Sequence, residues 1–260
     1  MRVHVATRSD LKVRNVIVPL QAIYRHARTR DTVTVDPTDA LELPESGGRR
    51  ERAASPEEAF ALIDALPDDP QALWATAAFG GLRRDELRAL RLTDVDYPAV
   101  TTIKVSRGYD DVAGPIEPKS EKGKRTVPVP AALRRYLLAE KLRTGRDGDD
   151  LLFGRTAREP FTPTHVRKLA LRAWATANEK RAADGLPPLV PLGLHEARHT
   201  YVSLLVAAGT SLEEAGDYIG HSSTYMTDRY RHLLDGQREK AADRLDAFLS
   251  GAQAGAQVAR

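Results

Sequence analysis

Residues 195–200 read His-Glu-Ala-Arg-His-Thr, and residues 220–232 read Gly-His-Ser-Ser-Thr-Tyr-Met-Thr-Asp-Arg-Tyr-Arg-His. Pro191 and Gly193 sit just upstream of the first stretch. They place His195 at or near the first turn of a helix expected over 196–208. Two chemistries fit these residue types. His195, Glu196 and His199 match the His-Glu-x-x-His pattern of zinc peptidases, in which two histidines share a helix face and the carboxylate activates water. His195 and Arg198 equally match a His-x-x-Arg arrangement, a phosphate clamp beside a proton-transfer group. The longer zinc pattern is absent, because position 202 is Val and position 205 is Leu; Asp217 or His221 remains as a third ligand. On this motif alone both readings are open.

In the second stretch Gly220 reads as a helix C-cap, with His221 immediately after it. Tyr225 and Tyr230 follow on a short helical segment, where a tyrosine is most often packing. Two further places concentrate polar residues. In Gly80-Gly-Leu-Arg83-Arg-Asp-Glu86-Leu87, Arg83 and Glu86 are spaced i, i+3. Alone, that spacing suits a surface ion pair, but an arginine at a helix start after two glycines also suits a cleft that backbone can approach closely. Lys119 lies at the edge of an expected hairpin, in Pro-Lys-Ser-Glu-Lys-Gly-Lys-Arg, where lysines usually protect a turn.

Around these motifs the periodicity is mostly helical. Helices are expected over 11–30, 131–142, 163–182, 211–219, 223–232 and 237–249, with two segments in 70–90 broken near Gly80-Gly81. Ser55-Pro56-Glu57-Glu58 reads as a capping box with Pro at the first helical position. Thr162-Pro163 and Thr210–Glu213 are further helix starts. Thr101–Val105 alternates like a strand, and Ile116–Lys119 and Arg125–Val129 flank Ser120–Lys124 as a hairpin would. The fold class expected is α+β and mainly α-helical, with a small three-stranded antiparallel sheet. Residues 31–54 lack periodicity and read as a linker.

Composition narrows the function classes. The chain has 260 residues, 39 Lys+Arg against 36 Asp+Glu, 42% hydrophobic residues and no cysteine. That excludes a disulfide scaffold, a Cys-ligated metal and a thiol nucleophile. No stretch approaches the ~18 apolar residues of a membrane span, so no membrane partner and a cytoplasmic location are expected. Arg supplies 30 of the 39 basic residues, and Arg is the residue of bidentate phosphate recognition. Residues 1–30 carry a net +6 and residues 161–181 a net +4, as suits a nucleic-acid backbone or a solvated face.

Taken in order, the motifs resemble the tyrosine recombinases, the phage-integrase family: Gly-Leu-Arg83-x-x-Glu86-Leu, Pro-Lys119-Ser, His195-x-x-Arg198-His199-Thr, Gly-His221-Ser, and Tyr230 nine residues after that histidine. The resemblance spans about 55–235. It implies a site-specific recombinase of a mobile element that cleaves and rejoins double-stranded DNA through a 3′-phosphotyrosine, without metal or nucleotide cofactor. Its implied catalytic residues are Arg83, Lys119, His195, Arg198, His221 and Tyr230, supported by Glu86 and His199. The same resemblance makes 1–45 the end of a helical core-binding domain, 46–54 a linker, 55–235 the catalytic domain, and 236–260 a C-terminal helix and tail. It implies a homotetramer on DNA and an accessory directionality factor. The shortness of the first region leaves a DNA-binding module without turnover as a rival reading, with the zinc peptidase as a distant third.

Overall fold

In a computed structural model, the structure describes residues 8–43, 52–118, 123–221 and 230. The chain divides into two compact units, 1–51 and 52–260.

In the first unit α1 (Arg8–Thr29) runs through Pro19. A turn follows it, closed by Asp36, whose carboxylate accepts the Thr38 N–H at 2.9 Å and hydroxyl at 2.6 Å. Arg28 ties that turn back to α1 through Asp39 at 2.8 Å.

The second unit opens with α2 (Pro56–Asp64), α3 (Asp68–Gly80) and α4 (Arg84–Ala89). Ser55 caps α2 by accepting the Glu58 N–H at 3.2 Å. The Glu58 carboxylate does not close the expected capping box; it pairs with Arg52, because a full ion pair outcompetes a bond to one amide. α3 is the central helix. From Ala72 to Gly80 every residue is buried, consistent with an Ala-rich segment that is apolar all round. It packs against α5 (Ala131–Thr144) and α7 (Leu194–Ala207). α6 (Pro163–Ala183) completes this core through Trp174, which meets Trp74 edge-on at 5.1 Å and donates its indole N–H to the Leu62 carbonyl at 2.7 Å. Thr162 precedes α6 but makes no side-chain cap bond. α8 (Leu212–Ile219) is capped by Ser211, one residue after the expected Thr210. Among the described residues no helix is long and apolar enough to cross a membrane.

The mainly α-helical reading with a small antiparallel sheet holds, but the strand pairing differs from expectation. β1 (Thr102–Val105) pairs with β4 (Arg125–Pro128), with Ile103 opposite Val127 and both fully buried. Val95 adds one antiparallel rung on Ile103. β2 (Gly108–Asp110) pairs with β3 (Gly114–Ile116) in a separate hairpin. The expected hairpin of Ile116–Lys119 with Arg125–Val129 is therefore corrected among the described residues. Two local causes act. The Asp110 carboxylate accepts the N–H groups of Val112 and Ala113 at 2.9 Å each, and Gly114 takes φ +74°, so a tight turn closes before residue 116. Ile103, Val105 and Val127 all face the core, so burying them drives β1 onto β4. The helices expected over 223–232 and 237–249 lie outside the described residues, apart from Tyr230.

Candidate active site

The site is built where three chain reversals meet: the end of α3, the start of α7 and the end of α8. Gly81 ends α3 at φ +65°, and a Cβ there would lie 2.2 Å from the Tyr201 ring on α7. Only glycine combines the left-handed turn with that approach. We expect Gly81→Ala to destabilise the fold by about 2 kcal/mol or more, read as a lowered thermal midpoint. Gly220 ends α8 in the same left-handed region, and His221 follows it.

These turns expose carbonyls that arginines collect. Arg198, in the first turns of α7, is 3% exposed; it donates to the Gly81 carbonyl at 2.5 Å and to the Ile219 carbonyl. Arg83, at the N-cap of α4, donates to the Gly220 carbonyl at 3.1 Å and to Glu86 at 2.8 Å. The two guanidinium groups thus fasten the ends of α3 and α8 together.

Glu86 holds the cluster from below. It is buried, accepts the Arg83 backbone N–H at 2.7 Å, and takes both terminal nitrogens of Arg125 at 2.8 Å each. Arg198 lies 3.7 Å from the same carboxylate. Burial by itself would raise the Glu86 carboxyl; the ion pair with Arg125, then the charges of Arg198 and Arg83, overcome it and hold the group down at about 2. Burial, and next Arg83, pull the Arg198 guanidinium down to about 9, which still leaves it charged at neutral pH. Three cations therefore surround one anion, and the excess positive charge awaits an anionic ligand.

Arg83, His195, Arg198 and His221 all line one open cleft of about 710 Å³, together with Trp74 and Arg167. His195 is the second residue of α7, as its position after Pro191 and Gly193 predicts. Its ring meets that of His199 edge-on at 4.5 Å. His199 is buried and hydrogen-bonds the Tyr230 hydroxyl through Nδ1; the Tyr230 ring centroid is 5.8 Å away and the residue is 5% exposed. Lys119 and Tyr225 lie outside the described residues. Two features of the zinc pattern are otherwise engaged: Glu196 accepts the Gly193 N–H at 2.6 Å as a helix cap, and His199 carries Tyr230. Among the described residues no group of three or more His, Asp or Glu is arranged to hold a metal ion.

Arg125 was not anticipated as part of this cluster. Its side chain is 5% exposed, and besides Glu86 it donates to the Tyr218 carbonyl at 2.6 Å. In sequence it is one basic residue in a lysine-rich turn. The one available signal is its place two residues before Val127 on the inward face of an alternating strand, where an unpaired charge would be costly.

The chain is similar to an integrase of Streptomyces ambofaciens, 28% identical over 83% of this chain and 58% of that protein. A putative prophage phiRv2 integrase of Mycobacterium tuberculosis is 30% identical over 74% of this chain and 50% of its own length. A tyrosine recombinase, XerC 1, of Ralstonia nicotianae is 28% identical over 81% of this chain and 65% of its own. The chain thus spans between half and two-thirds of the length of these relatives. Among solved structures, the Tn1549 transposon integrase in complex with transposon right end DNA superposes with a TM-score of 0.69 at 18% identity, covering 88% of this chain and 79% of that one. A lambda integrase dimer bound to a core site gives 0.58 at 20% identity, covering 85% and 73%. These likenesses establish the fold. The phage integrase family profile matches residues 54–237, the region that carries every element of the cleft, and the chain belongs to that family.

Proposed function

We propose that the protein is a site-specific DNA recombinase of a mobile element, which cuts and rejoins double-stranded DNA by transesterification. The observation that carries this reading is the convergence of Arg83, His195, Arg198 and His221 on one cleft, with Glu86 beneath them and the Tyr230 hydroxyl on the adjoining His199. Arg83 and Arg198 grip the non-bridging oxygens of the scissile phosphate. Two guanidinium forks match the charge that develops as phosphorus becomes pentavalent. His221 adds a hydrogen bond to the same phosphate. Tyr230 Oη forms a bond to phosphorus while the bond to the 5′-oxygen breaks. The leaving oxygen takes its proton from the Lys119 ammonium, and His195 serves as an acid/base group at the cleft wall. The product is a 3′-phosphotyrosine and a 5′-hydroxyl. Attack by the hydroxyl of a second strand reverses the step, so the ester bond is conserved and no nucleotide is consumed.

Residues 55–235 act as the catalytic domain in this reading, 1–45 as the end of a core-binding domain joined by 46–54, and 236–260 as a C-terminal tail, with the protein working as a tetramer on DNA. The basic stretch 161–181 extends the DNA surface: Arg167 of α6 lines the cleft beside the two arginines.

A nicked suicide duplex tests the proposal. Wild-type protein is expected to become covalently joined to the 3′ end, with or without a chelator, and peptide mapping is expected to find the nucleotide on Tyr230. Salt-sensitive DNA binding with no adduct would favour the rival binding module. Within this reading Arg198→Lys keeps a charge but cannot bridge the Gly81 and Ile219 carbonyls while facing a phosphate. Single-turnover adduct formation is expected to fall by about 10²–10³.

A further inference from the structure

We propose that His199 is the group that receives the proton of the Tyr230 hydroxyl during strand cleavage, with His195 behind it at the cleft wall. This rests on the reading of Tyr230 as the nucleophile.

Three observations carry it. His199 Nδ1 is hydrogen-bonded directly to the Tyr230 hydroxyl. Both residues are almost fully buried, His199 at 4% and Tyr230 at 5% exposure, so bulk water is a poor acceptor for that proton. His195, one helical turn earlier on α7, is exposed and meets the His199 ring edge-on at 4.5 Å. The two histidines therefore form a short line from the buried hydroxyl to the cleft. The i, i+4 spacing that suggests two zinc ligands in sequence here produces an edge-on ring pair.

The chemistry balances with groups already named. Neutral His199 with its proton on Nε2 offers the Nδ1 lone pair to the hydroxyl. As the Oη–P bond forms, the hydroxyl proton passes to Nδ1 and His199 becomes an imidazolium. The electron pair of the P–O bond leaves with the 5′-oxygen, which takes a proton from Lys119. On rejoining, the attacking 5′-hydroxyl gives its proton back to neutral Lys119 as its oxygen bonds to phosphorus, the P–Oη bond breaks, and the imidazolium returns its proton to the departing Tyr230 oxygen.

The test compares His199 variants with two kinds of tyrosine at position 230, using single-turnover adduct formation on the nicked duplex. His199→Ala is expected to slow the reaction by about 10² or more. His199→Asn keeps an acceptor oxygen near the Nδ1 position and the packing, but cannot take a proton, and is expected to be similarly slow; it carries the comparison if the Ala variant does not fold. Replacing Tyr230 by a polyfluorinated tyrosine, whose phenol ionises without help, is expected to shrink the deficit of either variant to within about tenfold. A deficit of equal size with both tyrosines would make His199 a packing residue and overturn the proposal. So would an unimpaired His199→Ala protein. Failure of the underlying reading looks different: Tyr230→Phe would then keep its adduct.

Discussion

Tyr230→Phe is expected to abolish the covalent DNA adduct while leaving the folded protein intact. The residue is 5% exposed and its ring contributes to the core, so phenylalanine preserves the packing and removes one oxygen. The structural loss includes the hydrogen bond with His199, about 1 kcal/mol in typical cases. The chemical loss is the proposed nucleophile itself. Denaturing electrophoresis of protein with labelled suicide substrate reads the chemical loss, and the thermal midpoint reads the structural one. Tyr225→Phe is the matched control and should keep the adduct. The reverse pattern would move the nucleophile to Tyr225 and take the His199 proposal with it.

Glu86→Ala carries the largest expected loss of stability. The carboxylate neutralises Arg125 directly and sits among Arg83 and Arg198; removing it leaves buried guanidinium groups facing one another. Breaking a buried pair in this way costs about 3–5 kcal/mol. Acid should reproduce part of the effect. The folded-state carboxyl is held at about 2 against an ordinary 4.5. A depressed value means that the stabilisation is complete above about 4.5 and is lost as pH falls from there toward 2. The displacement corresponds to about 3 kcal/mol. Urea unfolding at neutral pH should separate wild type from Glu86→Ala widely, and the gap should narrow at pH 3. An unchanged gap would show that the carboxylate matters for packing rather than for charge. Cleavage should fail in the variant even where it folds, because Glu86 fixes the Arg83 side chain at 2.8 Å.

The stability and the chemistry of this protein thus share one set of residues. Arg83 and Arg198 hold the carbonyls of Gly220, Gly81 and Ile219, so the groups proposed to grip DNA also fasten the ends of α3 and α8. A phosphate entering the cleft meets cations that are already immobilised, which is the arrangement that lowers reorganisation in the transition state.

Much of this was legible in the chain alone. Helices were legible because capping and stop signals are local: Ser55-Pro56, Pro163 and Gly220 stand at the termini their residue types predict. Arg83, His195, Arg198 and His221 were legible as a set because the order and spacing of the motifs are specific, although each motif has a bland reading by itself. What misled was also local. Ile116 to Val129 looks like one hairpin from turn composition, yet β3 closes back on β2 and β4 crosses to β1, because burial of Ile103 and Val127 depends on partners that are distant in sequence.

By itself, then, the sequence determined the helical class, the family and the residues whose chemistry suits a phosphate. Only the tertiary structure decided how they are joined. It brought Arg125 across 39 positions to Glu86, turned the two histidines of a zinc-like motif into an edge-on pair ending on Tyr230, and made a glycine at 81 obligatory by pressing Tyr201 against it. The reason is physical. Capping and periodicity act over a few residues, whereas charge neutralisation and burial act through space.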